Sequence, residues 1–226
     1  MVNSTDGLTL IQGIEKSIED ALWTSVADED YEKALGEYER AKASLEVMQD
    51  LSGDAERERK RVLSYCVMRM NDALEHLERS EGSIKRAEES LRLAKESEDL
   101  VQTLRSKLAL GVAFLNSGNL LEAESHFTDI ILQAQDETEN KDIIQIYGWT
   151  LIVRVNILLG KSLYNQAKEL ANQALGVLSS ITNYAGLRTA YSLLSRIYQN
   201  EGNIEKSEMY TQKSDEYDKL TKKHRQ

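Results

Sequence analysis

Histidine and cysteine are the side chains best suited to bind a metal or to attack a substrate, and this 226-residue chain has few of them. His76, His126 and His224 lie far apart, and no two have the spacing of a helical metal motif such as HExxH. The single cysteine, Cys66, lies in the apolar run VLSYCVMRM with no histidine paired to it. We therefore predict a buried, reduced thiol and no metal site.

Acidic side chains and glycine-rich loops are the remaining candidates for catalysis. Glu88 and Glu89 are adjacent, but neighbouring acids in a charged helix are typical of a solvated face rather than of a general acid and base. The sequence contains no phosphate-binding glycine loop and no GxSxG motif. We predict that the protein is not an enzyme and needs no cofactor.

The composition indicates an acidic, helical protein. The chain has no proline and is 41% apolar and 29% charged, which favours long helices around a core. Residues 1–100 hold 24 acidic and 14 basic side chains, whereas residues 101–226 hold 14 of each, so the net charge of −10 belongs to the first half. Such a charge repels nucleic acid and steers basic partners toward that half. We expect no signal peptide, no membrane span and a cytoplasmic location.

The spacing of apolar residues predicts an all-α protein of ten helices in five antiparallel hairpins. The first two helices are expected at about residues 8–26 and 31–50, with Asp28 or Asp30 as the cap between them. The third ends near Ser80, and the charge run LSGDAERERKR forms its solvated first turns. The others are expected at about residues 84–97, 99–117, 120–137, 141–161, 163–180, 184–200 and 204–222.

A small residue opens the second helix of each hairpin. These positions are Ala34, Ala87, Ala123, Ala167 and Ser207, and the last three steps between them are 36, 44 and 40 residues. Repeated hairpins of this length are typical of solenoids, in which each unit buries its apolar stripe by stacking on its neighbours.

The pattern resembles the tetratricopeptide repeat (TPR) family, whose repeat of about 34 residues pairs two antiparallel helices. The clearest unit, residues 104–137, matches through Leu110-Gly111, Phe114, Gly118-Asn119-Leu120, Ala123 and Phe127. The last unit matches through Tyr191, Leu194, Tyr198, Gly202-Asn203-Ile204 and Ser207. The family's usual proline is absent, and the steps are those of its longer-repeat members. The resemblance implies an α-α superhelix, with residues 1–52 as an atypical capping hairpin and residues 53–226 as repeats with a basic C-terminal helix end.

The resemblance also implies a groove that binds a protein or peptide segment on the first helix of each repeat. The family's groove positions carry over to Arg105, Leu108, Val112, Leu115, Asn116, Trp149, Ile152, Asn156, Leu159, Thr189, Ser192, Arg196 and Gln199. Such a groove is apolar in its middle and polar or basic at its edges, which suits a partner with an apolar anchor. In the alternative interpretation, Leu108, Val112, Ile152 and Leu159 pack against neighbouring helices instead.

The register of the fourth repeat has two solutions. An ungapped alignment places Arg154 in the core and Asn156 in the groove, whereas a two-residue insertion after Gly160 places Asn156 in the core. The carboxylate clamp of co-chaperone TPR domains is not expected, because Leu108 and Val112 stand where it needs a basic residue and an asparagine.

The function implied by the resemblance is that of a cytoplasmic, non-catalytic scaffold or adaptor. Two alternatives stay open at this point. One is a regulator that responds to a short peptide, and the other is a structural subunit that self-associates through exposed apolar faces.

Overall fold

The computed structural model describes residues 4–51 and 53–223, except for the side chains of residues 4, 5 and 26–28. Within this part of the chain every regular element is an α-helix. The ten helices are α1 Ser4–Asp28, α2 Tyr31–Glu46, α3 Asp54–His76, α4 Ser83–Ser97, α5 Leu100–Asn116, α6 Leu120–Ala134, α7 Lys141–Gly160, α8 Tyr164–Ser180, α9 Tyr184–Asn200 and α10 Ile204–Lys223. The predicted all-α class is confirmed.

Three helices end earlier than the apolar pattern predicts. α2 ends at Glu46 and α3 at His76, each about four residues early. Met48 and Leu77 lie just beyond these ends and still pack against the core, so they prolong the pattern without prolonging the helix. α6 ends at Ala134, about three residues early. The side chain of Val26, at the predicted end of the first helix, is not among those described, and His224 lies outside the described residues.

Short polar side chains fix the starts of five helices. Asp30, Asp99, Asn140, Asn183 and Asn203 precede α2, α5, α7, α9 and α10, and each accepts a hydrogen bond from a backbone N–H of the first turn. Asp30 Oδ1, for example, accepts from the Lys33 N–H at 3.0 Å. These bonds satisfy donors that a helix N-terminus otherwise leaves unpaired. Asp30, rather than Asp28, therefore caps α2.

Residue contacts divide the chain into two compact units, Met1–His126 and Phe127–Gln226. In the first unit α1 pairs with α2, α3 packs on both, and α4 lies between α3 and α5. Ile11 and Ile18 of α1, Tyr38 of α2 and Val62 of α3 belong to one buried core. The hairpin before residue 52 thus shares its core with the helix that follows, and its role as a cap stays a prediction.

The small residues that the sequence places at the start of each second helix are all buried. Ala34, Ala87, Ala123 and Ala167 are 0% exposed, and Ser207 is 9% exposed. A small side chain at such a position lets two helix backbones approach closely. The burial agrees with the predicted contacts inside each hairpin, and α1 pairs with α2, α3 with α4, α7 with α8 and α9 with α10, as predicted.

The charge run is helical from Asp54 onward and forms the first turns of α3, as predicted, but two of its arginines are largely buried rather than solvated. Arg61 donates to Glu58 at 2.8 Å and to Glu15 of α1 at 2.6 Å. Arg59 donates to the carbonyl oxygen of Leu45 at 3.2 Å, close to the end of α2. Both side chains are less than 20% exposed. They therefore tie α3 to the first hairpin.

Cys66 is a buried thiol, as the sequence predicts. It is 0% exposed, and its Sγ donates to the carbonyl oxygen of Tyr38 at 3.2 Å. Burial raises the pKa of the Cys66 thiol to about 12, because a thiolate has no water to solvate it there.

We expect iodoacetamide at pH 8 to modify Cys66 in the folded protein on the order of a thousandfold more slowly than in the unfolded chain, because the thiolate is the reactive form. Mass spectrometry of samples quenched at intervals, with and without guanidinium chloride, measures the two rates. Equal rates would show that Cys66 is accessible in the native state.

A polar cluster lies inside the first unit, where α3, α4 and α5 meet. Ser64, Ser90 and Ser106 are 0% exposed, and their hydroxyl oxygens lie 2.8 to 3.2 Å apart. The amide nitrogen of Gln102 donates to Ser64 at 3.0 Å and to Ser106 at 3.2 Å. Buried hydroxyls are tolerated when they bond to one another. The cluster therefore specifies how these three helices align.

In the second unit α7 pairs with α8, α8 packs on α9, and α9 pairs with α10. The buried face of α8 consists of Ala167, Ala171, Ala174 and Leu178. α7 is long and apolar enough to cross a bilayer by length and composition alone, with a mean hydropathy of 1.5 over its most apolar stretch. Since 61% of that stretch is buried, α7 is better explained as the core helix of its unit.

Candidate functional site

On α5, in the first unit, the predicted groove residues differ in accessibility. Leu108, Val112 and Leu115 are half-buried, as is Arg105, and Asn116 is exposed. The Asn116 amide donates to Glu75 Oε2 of α3 at 3.1 Å. α3 and α5 are the first helices of successive hairpins, so this contact joins the two helices that the TPR resemblance assigns to the groove.

On α7, in the second unit, the predicted residues separate into two groups. Ile152 and Leu159 are 3% and 8% exposed, so they pack inside the fold and present no surface to a partner. Trp149 is half-buried and Asn156 is exposed. The apolar middle of the predicted groove is thus reduced on α7 to Trp149.

The structure meets neither register of the fourth repeat in full. Asn156 is exposed, which contradicts the alignment that places it in the core. The ungapped alignment places Arg154 in the core and Ile152 and Leu159 in the groove, but Arg154 is half-buried and the two apolar residues are buried. The exposure of Asn156 agrees with the ungapped alignment, and its place in a binding groove stays a prediction.

On α9 the predicted residues form one polar stripe. Ser192, Arg196 and Gln199 are exposed, and Thr189 is half-buried. The Arg196 guanidinium donates to the Asn156 side-chain oxygen of α7 at 3.3 Å. The structure thus brings together one predicted residue from each of two neighbouring first helices.

A stack of tyrosines holds α9 against α10. The rings of Tyr198 and Tyr210 are 5.4 Å apart and nearly parallel, and those of Tyr191 and Tyr217 are 5.3 Å apart. The repeat pattern predicts Tyr191 and Tyr198 as structural positions, but it does not predict their partners on α10. Tyr191 and Tyr198 are seven residues apart on α9, and Tyr210 and Tyr217 are seven residues apart on α10. Because residues seven apart share a helix face, this spacing was the signal in the sequence.

No group of His, Cys, Asp and Glu among the described residues is arranged to hold a metal ion. The two described histidines are in ring contacts instead. His76 stacks on Tyr31 with ring centres 4.2 Å apart, and His126 stacks on Phe114 at 5.6 Å.

The first unit also contains a cavity with polar and apolar walls that was not predicted from the sequence. It is lined by residues that include Tyr31, Arg69, Asp72, Glu75 and His76. The last four recur along α3 at steps of three, three and one, which places them on one side of the helix. That spacing was the signal in the sequence, although only the fold shows that α1 and α2 enclose it.

The sequence matches no protein-family model and no curated protein sequence. Solved structures do resemble it. BtubC (BKLC) from P. vanneervenii has a TM-score of 0.60 and 14% identity, over 94% of this chain and 91% of that one. The nearly identical TPR-like repeats of a Podosopora anserina protein give a TM-score of 0.57 and 13% identity, over 93% and 97%. The Rap conjugation gene regulator of plasmid pLS20, solved with a Phr peptide, has a TM-score of 0.64 and 17% identity. The match covers 98% of this chain and 55% of the regulator.

The chain has a TPR-like fold. The resemblance inferred from Ala123, Phe127 and the glycine turns is therefore confirmed at the level of the fold. Identities of 13% to 17% carry no more than the fold, and this chain spans about half the length of the pLS20 regulator.

Proposed function

We propose that this protein is a cytoplasmic, non-catalytic scaffold that binds a segment of another protein on the first helices of its TPR-like hairpins. The observation that carries the proposal is the contact between Arg196 and Asn156 across α7 and α9. Both side chains are exposed, and both belong to the positions that TPR proteins use for binding. The TPR-like fold supports the same surface.

The chemistry of these two residues suits an extended segment. An asparagine amide offers both a donor and an acceptor, which matches the alternating groups of a peptide backbone. The Arg196 guanidinium can bind a carboxylate through two parallel hydrogen bonds. In the first unit Leu108, Val112 and Leu115 retain partly accessible apolar surface for an anchor. We therefore propose a partner with an apolar anchor and an acidic group.

The test compares two charge reversals in the second unit. Arg196→Glu changes the proposed surface, and Lys219→Glu makes the same charge change on an exposed position of α10. A partner segment would first be isolated by affinity purification from the native cell extract. Its affinity for each variant would then be measured by isothermal titration calorimetry.

We expect Arg196→Glu to weaken binding about tenfold or more, because hydrogen bonds to charged groups contribute about 1.5 to 3 kcal/mol. Lys219→Glu should bind like the wild type. Equal affinities for all three proteins would refute a role for the α7–α9 surface. A Leu108→Glu, Val112→Glu double variant, checked by circular dichroism, tests the α5 surface in the same way.

A second candidate is a regulator that changes shape when it binds a short peptide. It is favoured by the likeness to the pLS20 Rap regulator, which was solved with a Phr peptide. Peptide-dependent thermal stabilisation together with a change in small-angle scattering would support it. Light scattering at several protein concentrations tests the third idea, self-association, independently of any ligand.

A further inference from the structure

The cavity of the first unit, defined above by Tyr31, Arg69, Asp72, Glu75 and His76, has a volume of about 380 Å³. Pockets that hold small ligands or side chains usually range from about 300 to 1,000 Å³. Its walls come from α1, α2, α3 and the end of α5. The cavity is therefore large enough to take one long side chain.

The one arginine in the cavity already holds a carboxylate, although its Nε has no hydrogen-bond partner. The Arg69 guanidinium donates to Asp72 Oδ2 at 2.9 Å, and it lies 5.0 Å from the centre of the Tyr65 ring. An incoming anion would have to compete with the Asp72 carboxylate for it and would be repelled by that carboxylate. The cavity is therefore poorly suited to a phosphate or a carboxylate.

Two carboxyl groups, those of Asp72 and Glu75, share the cavity with this one arginine, so acidic side chains outnumber it, although burial raises the pKa of the Asp72 carboxyl. The Asp72 side chain remains 45% exposed although it is paired with Arg69. Glu75 is held in place by Asn116 Nδ2 on Oε2 and by Asn71 Nδ2 and the Ser83 hydroxyl on Oε1. These donors position the Glu75 carboxylate but do not neutralise its charge.

Aromatic rings form another part of the wall. Tyr31 and His76 stack with an angle of only 10° between their planes. A cation beside an aromatic ring is stabilised by about 0.5 to 2 kcal/mol. Carboxylates and ring faces together suit a positive charge at the end of an apolar stem.

We propose that this cavity binds a cationic side chain, arginine or lysine, of the protein segment that the scaffold recognises. The inference rests on the proposed function, because the side chain belongs to the bound segment. Asn116 connects the two, since it lines the cavity and is also a predicted groove residue. The excess of ten negative charges in residues 1–100 would steer such a group toward this unit.

The test uses small probes and the ring protons of His76. N-acetyl-arginine amide and N-acetyl-lysine amide supply the cation, and N-acetyl-citrulline amide is the uncharged counterpart of the arginine probe. The Hε1 signal of His76 is followed by NMR during each titration. His126, which stacks on Phe114 outside the cavity, is the internal control.

We expect a saturable shift of the His76 signal with the arginine or the lysine probe, and neither a shift with citrulline nor a shift at His126. Asp72→Asn should weaken binding about tenfold or more, whereas Glu39→Gln, on the exposed face of α2, should not change it. If Asp72→Asn lowers the melting temperature because Arg69 loses its partner, Glu75→Gln replaces it.

Citrulline binding as well as arginine, or no His76 shift with either cation, would overturn the proposal. This outcome is separable from failure of the proposed function, because Arg196 lies in the second unit and is read out with a whole partner segment. If the cavity has no affinity for cations, Arg196→Glu is still expected to weaken binding of the partner segment. A cation-binding cavity with no effect of Arg196→Glu would confine recognition to the first unit.

Discussion

Replacing Phe127 by alanine should lower the free energy of unfolding by about 3 to 5 kcal/mol. Phe127 is 0% exposed and is one of the largest fully buried side chains of the chain's described part. Removing the ring loses its transfer free energy and leaves a cavity that the surrounding helices fill only partly. Urea unfolding followed by circular dichroism at 222 nm measures the difference.

Tyr198→Ala is the matched control, because the same sequence reasoning selected both rings. Tyr198 is only half-buried, and it stacks on Tyr210 with Lys168 and Lys206 within about 5.5 Å of its ring centre. We expect a loss of about 1 to 2 kcal/mol, since an aromatic pair contributes about 0.5 to 1.5 kcal/mol beyond its burial. A loss below about 1 kcal/mol for Phe127→Ala would contradict its assignment as a core residue.

The architecture was predictable because helix pairing in a repeat obeys local rules. Ala87, Ala123 and Ala167 recur at the positions where two helices must approach, and an apolar stripe at steps of three and four marks the buried face. Both signals lie within a single hairpin. These signals do not depend on which hairpins pack together. Ten helices and their arrangement in hairpins could therefore be predicted from one sequence.

The binding surface was less predictable because exposure depends on neighbouring hairpins. Ile152, Asn156 and Leu159 all lie on the predicted groove side of α7, yet only Asn156 is exposed. An apolar residue on a first helix can line a groove or fill the gap to the next helix, and spacing along one helix does not distinguish them. The placement of Arg196 beside Asn156 is likewise a contact between residues 40 positions apart.

The buried polar groups of the first unit could not be predicted from the sequence for the same reason. Ser64, Ser90 and Ser106 look like ordinary helical serines, and only the packing of α3, α4 and α5 turns them into one buried cluster. The cavity beside Arg69 likewise required α1 and α2 to close over α3. Residues on one helix face are visible in the sequence, but the opposite wall is not.

Leu178 packs between two glycines of neighbouring helices, a contact that the sequence alone does not predict. The second large effect on stability is expected at this contact. Leu178 of α8 is 0% exposed. A β-carbon added to Gly148 of α7 would lie 2.5 Å from Leu178 Cδ2, and one added to Gly186 of α9 would lie 2.9 Å from the same atom. Leu178 therefore packs directly against the backbones of both neighbouring helices.

Leu178→Ala should destabilise the protein by about 3 to 5 kcal/mol, the usual range for a fully buried leucine. Gly148→Ala should also destabilise it, by about 1 to 3 kcal/mol, because its new methyl group overlaps Leu178. Glycine inside a helix costs roughly 1 kcal/mol relative to alanine, so the overlap must exceed that gain. Gly176→Ala, on the exposed face of α8, is the control and should stabilise, because a β-carbon there meets no atom within 4 Å.

The decisive measurement is the double-mutant cycle of Gly148→Ala and Leu178→Ala, read by urea unfolding. Once Leu178 is shortened, the methyl group at position 148 has room, and only its helix propensity remains. Gly148→Ala should then reverse sign and stabilise the Leu178→Ala protein by up to about 1 kcal/mol. If Gly148→Ala has the same effect in both backgrounds, the two side chains do not meet, and the close packing of α7 on α8 at this position is refuted.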